Sequence, residues 1–228
     1  MFEIKNICMI YDVDSDEKMY ALKGFDLTLP DSGLVGVIGP SGSGKSTLMY
    51  CLSTLKKPTE GSIVYNGMDI ASISDKERET LRRREFGFIF QKHYLVPYMT
   101  AFDNVLVAAA KMGRETDEKA RCLLTELGLG ERELKKKPSK LSGGQCQRVA
   151  IARSMINDPK VVFADEPTAS LDHENAFNVM KILKDYSADR LVLVVTHDRS
   201  ILKEADRIIE LWDGDISGDK ENLRGNAE

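Results

Sequence analysis

The sequence predicts an α/β fold interrupted by a block of helices, and three observations carry that reading. The glycine-rich stretch GPSGSGKST, Gly39 to Thr47, links an apolar run to a helical one. A second glycine pair, in LSGGQ at Leu141 to Gln145, opens another helix far downstream. Short β-type runs occupy both ends of the chain, whereas the stretch between Thr100 and Asn157 shows helical patterning alone.

Taken in order, Phe2 to Ile10, Ala21 to Leu29 and Ser62 to Tyr65 are β-type segments separated by Asp, Ser, Pro and Gly. Leu34 to Ile38 is apolar enough for a buried parallel strand, and it feeds the glycine-rich loop, after which Thr47 to Leu52 begins a helix. Ser74 and Glu77 have capping-box spacing, which predicts a short polar helix to about Arg84 before a strand at Phe86 to Phe90. Helices are expected from Ala101 to Met112, closed by Gly113, from Thr116 to Leu127, closed by Gly128, and from about Ser142. Strands return at Lys160 to Ala164 and Leu191 to Thr196, alternating with helical patterns at Glu174 to Tyr186 and Arg199 to Glu204. The expected organisation is one domain over 1–228, with 1–91 and 158–228 forming the α/β core and 92–157 a helical insertion.

With 228 residues the chain can bury a sizeable core. A net charge of −4 with 30% charged residues fits an ordinary soluble protein and argues against a basic nucleic-acid binder. Arg82 to Arg84 and Lys135 to Lys137 are the basic runs, read as solvated faces. The four cysteines, Cys8, Cys51, Cys122 and Cys146, form no C-x-x-C pair, which suggests a reducing cytosol without a zinc site or disulfide framework. No apolar run approaches a bilayer span and the first residues lack a signal-peptide layout, so any membrane role is expected to come through a partner.

Chemistry concentrates at strand ends. Gly39, Gly44, Lys45 and Ser46 match G-x-x-x-x-G-K-[ST], and backbone along Gly39, Pro40, Ser41, Gly42, Ser43 and Gly44 can wrap an anion at the start of the helix containing Thr47. Lys45 would reach nucleotide β- and γ-phosphates, and Ser46 would ligate Mg²⁺. Asp165 and Glu166 follow the apolar strand VVFA. Asp165 is placed to hold the Mg²⁺ shell, Glu166 to polarise a water for attack on the γ-phosphate. His197 ends the next strand, where it would contact the γ-phosphate, and the Gln91 amide would complete the metal shell. Ser142, Gly143 and Gly144 can also grip phosphate at a helix start, but no lysine or metal ligand accompanies them. The residues alone leave open whether they serve this chain's nucleotide, another ligand or a second copy.

In the order GPSGSGKST, Gln91, LSGGQ, VVFADEP, Ser170-Leu171-Asp172 and Thr196-His197-Asp198, the chain resembles an ATP-binding cassette (ABC) ATPase. That resemblance implies a P-loop fold with a RecA-like core, an N-terminal antiparallel β subdomain and an inserted helical subdomain. It also implies a head-to-tail, ATP-dependent homodimer in which Ser142, Gly143, Gly144 and Gln145 of one chain close over ATP held by Lys45 of the other. Asp172 would lie at the seam and Tyr11 would stack on adenine, with Tyr20 as the other upstream tyrosine. YALKGFDLTLP and LRRREFGFIFQ resemble the LolD/MacB/FtsE-like branch, which covers lipoprotein release and macrolide or antimicrobial-peptide export. Members dock on separate integral membrane permeases from the cytoplasmic face, and the apolar, aromatic loop His93 to Met99 is the expected docking surface. Two further readings are a soluble ABC ATPase of the iron–sulfur assembly type and a cell-division ATPase. Cys146 departs from the branch pattern after LSGGQ, and an unreactive thiol is expected there.

Overall fold

A computed structural model describes residues 1–12, 18–169 and 171–221; Ser170 therefore lies outside the described residues. Its first sheet is antiparallel. Strands β1 (Phe2–Tyr11), β2 (Met19–Leu29), β4 (Glu60–Tyr65) and β5 (Met68–Asp69) pair in the order β2-β1-β4-β5. The second sheet holds β3 (Gly33–Ile38), β6 (Phe86–Ile89), β7 (Val161–Asp165), β8 (Leu191–Thr196), β9 (Arg207–Trp212) and β10 (Asp215–Glu221) in the order β10-β9-β3-β8-β7-β6. Only its edge strand β10 runs antiparallel to its neighbour.

The apolar runs of β3, β7 and β8 are continuous because both faces of this sheet are covered. Alternate residues enter different cores: Val35 and Val37 pack with the antiparallel sheet and α1 (Lys45–Leu52), whereas Leu34 and Ile38 face the helices. Those helices are α3 (Ala101–Leu106), α4 (Arg114–Glu126), α5 (Glu131–Leu134) and α6 (Gly143–Met155), all lying between β6 and β7 in the chain, with α7 (His173–Tyr186) on the same side. Helix α2 (Asp75–Glu85) begins with the expected capping box between Ser74 and Glu77.

The structure differs from the expected elements in three respects. α3 ends at Leu106 rather than Met112, although Ala108 to Ala110 favours helix. The Asn157 side chain takes the Ala108 carbonyl at 2.7 Å and the Ala110 N–H at 2.8 Å, holding that backbone off the helical path. The Arg199–Leu202 segment is one 3₁₀ turn, with Asp198 accepting from the Ser200 N–H. Helix α5 and strands β5, β9 and β10 go beyond the expected set. Asn66-Gly67 and Asp213-Gly214 turn β4 into β5 and β9 into β10 with positive φ at both positions, the requirement of a type I′ hairpin.

Candidate functional site

The register of the parallel strands assembles the site. Ile38 lies opposite Thr196 and Asp165 opposite Val195, so the carboxyl ends of β3, β7 and β8 sit side by side. Ligands gather at such a strand edge in open α/β sheets. A cleft of about 750 Å³ opens there, lined by Tyr11, Lys45, Gln91, Asp165, Glu166 and His197 among others.

Gly44 is the residue on which the loop turns. It has φ 98°, and a Cβ there would come within 2.4 Å of the Ala21 carbonyl oxygen, so neither a side chain nor an ordinary backbone conformation fits. The next residue, Lys45, is 8% exposed and its ammonium donates to the Gly39 and Pro40 carbonyls at 2.9 and 2.8 Å. Burial pushes its pKa below the ordinary lysine value, opposed by the nearby Glu166 and Asp165 carboxylates. Two of its three donors are thus occupied, leaving the third for a phosphate oxygen.

Ser46 donates to Asp165 at 3.2 Å, and Tyr50, one turn further along α1, donates to the other carboxylate oxygen at 3.3 Å. Burial raises the Asp165 pKa above the usual carboxylate value despite these two bonds. A cation would relieve that cost. Serine hydroxyl, aspartate carboxylate and the Gln91 amide make an all-oxygen donor set that suits a hard divalent cation such as Mg²⁺.

Glu166 adopts φ 48°, an uncommon conformation for a non-glycine residue, and its N–H donates to the Val195 carbonyl at 2.8 Å. Three donors fix its carboxylate: Thr196 Oγ1 at 2.9 Å, the His197 N–H at 3.0 Å and His197 Nδ1 at 2.6 Å. The carboxylate is held by its neighbours while the rest of His197 is solvent-exposed at the cleft, an arrangement suited to orienting a water and a phosphate oxygen.

Tyr11 also borders the cleft. Its hydroxyl lies 3.3 Å from Thr47 Oγ1, and Lys56 sits 4.3 Å over its ring while donating to its hydroxyl. Tyr20 is exposed and does not line the cleft.

Ser142, Gly143, Gly144 and Gln145 are elsewhere; none lines the cleft. Ser142 caps α6 through a reciprocal pair with Gln145, at 3.2 and 3.0 Å. Asp172 caps α7 by accepting from the Asn175 N–H and amide, which hold its pKa below the ordinary value. Burial raises the Cys146 thiol pKa, so its place near a helix start does not activate it.

The expected docking loop leaves Tyr94 and Tyr98 exposed at 66% and 72%. Its backbone is nevertheless clamped: the buried Asn104 amide bonds the Val96 N–H and carbonyl, and Arg153 of α6 donates to the His93 and Tyr94 carbonyls at 2.7 Å. Arg82 departs from the expected solvated face, donating to Thr54 instead.

Tyr50, Thr196, Asn104 and Gln147 make contacts that no motif in the sequence announces. A signal for Tyr50 existed, since it stands four residues after Ser46 and so on the same helical face.

Comparison with known proteins identifies the family and the fold. The family model described as ABC transporter matches residues 22–169. The chain is 46% identical over 202 residues to the lipoprotein-releasing system ATP-binding protein LolD of Aquifex aeolicus, covering 87% of this chain and 90% of that protein. It is 42% identical over 227 residues to the macrolide export ATP-binding/permease protein MacB of Acinetobacter baylyi, covering 98% of this chain but 34% of that one. Among solved structures, the dimeric post-hydrolysis state of the ATP-binding cassette MJ0796 bound to ADP and Pi superposes with a TM-score of 0.91 at 38% identity, covering 99% of this chain and 100% of that one. The chain therefore belongs to the ABC transporter family, as an ATP-binding ATPase cassette of the branch that includes LolD and MacB.

Proposed function

We propose that two copies of this chain close head to tail on ATP and that closure drives a separate membrane permease of an export or lipoprotein-release type. The observation that carries the composite site is the separation of its halves: Lys45, Asp165 and Glu166 share one cleft, and the LSGGQ helix start lies outside it. A second chain supplies the missing half. Gly39 to Thr47 hold the phosphates, with Lys45 on the β- and γ-oxygens and Tyr11 against adenine. Ser46, Asp165 and Gln91 would hold Mg²⁺, which supplies charge neutralisation at the phosphates. Glu166 takes a proton from the attacking water, and His197, bonded to Glu166 through Nδ1, contacts the γ-phosphate.

Ser142, Gly143, Gly144 and Gln145 of the second chain cover the γ-phosphate with helix-start N–H groups, and Asp172 lies at the seam. The segment 92–157 moves with α6. Arg153, on the last turns of that helix, carries the His93–Met99 loop with it, so exposed Tyr94 and Tyr98 present the closure to the permease. The likeness to an ATP-binding protein of a lipoprotein-releasing system and to an ATP-binding/permease protein supports a place on the cytoplasmic face of the membrane through that partner. No helix among the described residues is long and apolar enough to cross a membrane.

Hydrolysis measured against protein concentration tests the composite site. The rate per chain is expected to rise with concentration as dimers form. A rate independent of concentration, from a chain that stays monomeric with ATP, sinks the proposal. Co-purification tests the partner: recovery with a polytopic membrane protein is expected, and recovery with soluble scaffold proteins alone contradicts a transport role.

A further inference from the structure

We propose that Gln147 is a positioning residue joining the LSGGQ helix of each chain to that chain's own catalytic turn, so that closure over one ATP aligns the base at the other. Gln147 stands on α6, five residues after Ser142, and is 1% exposed. Its amide donates to the Pro167 carbonyl at 2.8 Å. Pro167 directly follows Glu166, the residue whose φ of 48° sets the direction of the proposed base.

A second contact joins the same two segments. A Cβ on Gly144 would lie 2.9 Å from Leu171 Cδ2, so the start of α6 rests directly on the segment after the catalytic turn. Local bonds tie these residues to the catalytic turn: Ala169 N–H donates to the Glu166 carbonyl at 3.2 Å and Leu171 N–H to the Thr168 carbonyl at 3.0 Å.

In a head-to-tail dimer each chain gives Glu166 to one ATP and Ser142 to the other. When Ser142 engages its phosphate, α6 shifts, and Gln147 carries the shift into the Glu166–Pro167 turn of the opposite site. The two sites then share one element with two arrangements, which is the physical content of coupling between them. This inference rests on the composite-site reading.

The test is Gln147→Met, which keeps length and helix propensity but removes the donor. Expected are a KM for ATP within about twofold of the parent, a kcat lower by about tenfold or more, and a Hill coefficient for ATP falling toward about 1. A role confined to packing would leave the Hill coefficient in place. Leu171→Ala loosens the second contact at a half-buried position; it is expected to lower the Hill coefficient as well, and it decides the matter if Gln147→Met does not fold.

ATP-dependent dimerisation of Glu166→Gln, followed by size exclusion, runs alongside. If that dimer forms while both variants keep parental kcat and Hill coefficient, the Gln147 role is overturned and the composite site stands. If no ATP-dependent dimer forms, the composite-site reading fails and the coupling fails with it.

Discussion

Replacing Glu166 by Gln removes one negative charge and leaves the backbone turn unchanged. In the parent, Oε1 accepts from the His197 N–H and lies 2.6 Å from Nδ1, and Oε2 accepts from Thr196 at 2.9 Å. A glutamine oxygen can keep the first pair, and its NH₂ group can donate to Thr196 Oγ1 in place of accepting from it. The bonds survive but lose their charge assistance, at a cost of about 1 kcal/mol to stability.

The catalytic loss is much larger. A positioned general base contributes about 100- to 10,000-fold, or about 3–5 kcal/mol of barrier. Phosphate release under steady-state conditions is expected to show kcat reduced by that factor. KM for ATP should stay within about threefold, because Lys45 and the phosphate loop are untouched. Size exclusion with ATP is expected to show a longer-lived dimer. Parental kcat in the Gln variant would refute the choice of base, and a large rise in KM would show that the carboxylate serves binding.

Two other substitutions probe the ends of the nucleotide. Tyr11→Ala should raise KM for ATP by about 3- to 10-fold through loss of ring stacking, while Tyr11→Phe, which keeps the ring, stays near the parent; equal KM values in both variants remove adenine from Tyr11. Asp165→Asn is expected to cut hydrolysis by on the order of 100-fold while leaving the nucleotide-free chain at least as stable as the parent. Because burial raises the Asp165 pKa, the folded chain holds more proton there than the unfolded chain between the ordinary and raised values. Stability from this group therefore falls as pH rises through that window, and Asp165→Asn should flatten this part of the pH–melting curve; an unchanged slope contradicts the burial argument.

The sequence displayed the site more fully than the fold around it. Lys45, Ser46, Asp165, Glu166 and His197 each sit at a strand end or helix start with a recognisable flanking run, and strand register brings them to one cleft. Gln147 was less visible, because its role depends on Pro167 approaching α6 from a distant part of the chain. α3 is shorter than its sequence predicts for the same reason: the residue that diverts its backbone, Asn157, lies well beyond it in sequence. The small hairpin strands carry a local signal in their turns. Asn66-Gly67 and Asp213-Gly214 are strong turn dipeptides, yet β10, with the sequence DISGDKE, is too polar to read as a strand by hydrophobicity alone.

If one ATP lies between Lys45 of one chain and Ser142 of another, two inactive variants should complement each other when mixed. Lys45→Ala loses the phosphate lysine. Ser142→Asp keeps a good N-cap for α6 while placing a carboxylate against the γ-phosphate. Each variant alone is expected to be inactive, whereas a mixed dimer has one site with both Lys45 and Ser142 intact. Equal mixing is therefore predicted to restore measurable activity below a ceiling of about a quarter of the parental rate, since about half of the dimers are mixed and each has one intact site. Coupling through Gln147 lowers the recovery by up to about tenfold from that ceiling, because the Glu166 of the intact site belongs to the chain whose α6 carries Ser142→Asp. Absence of any recovery when mixed dimers demonstrably form, or full activity in Ser142→Asp alone, would contradict the account.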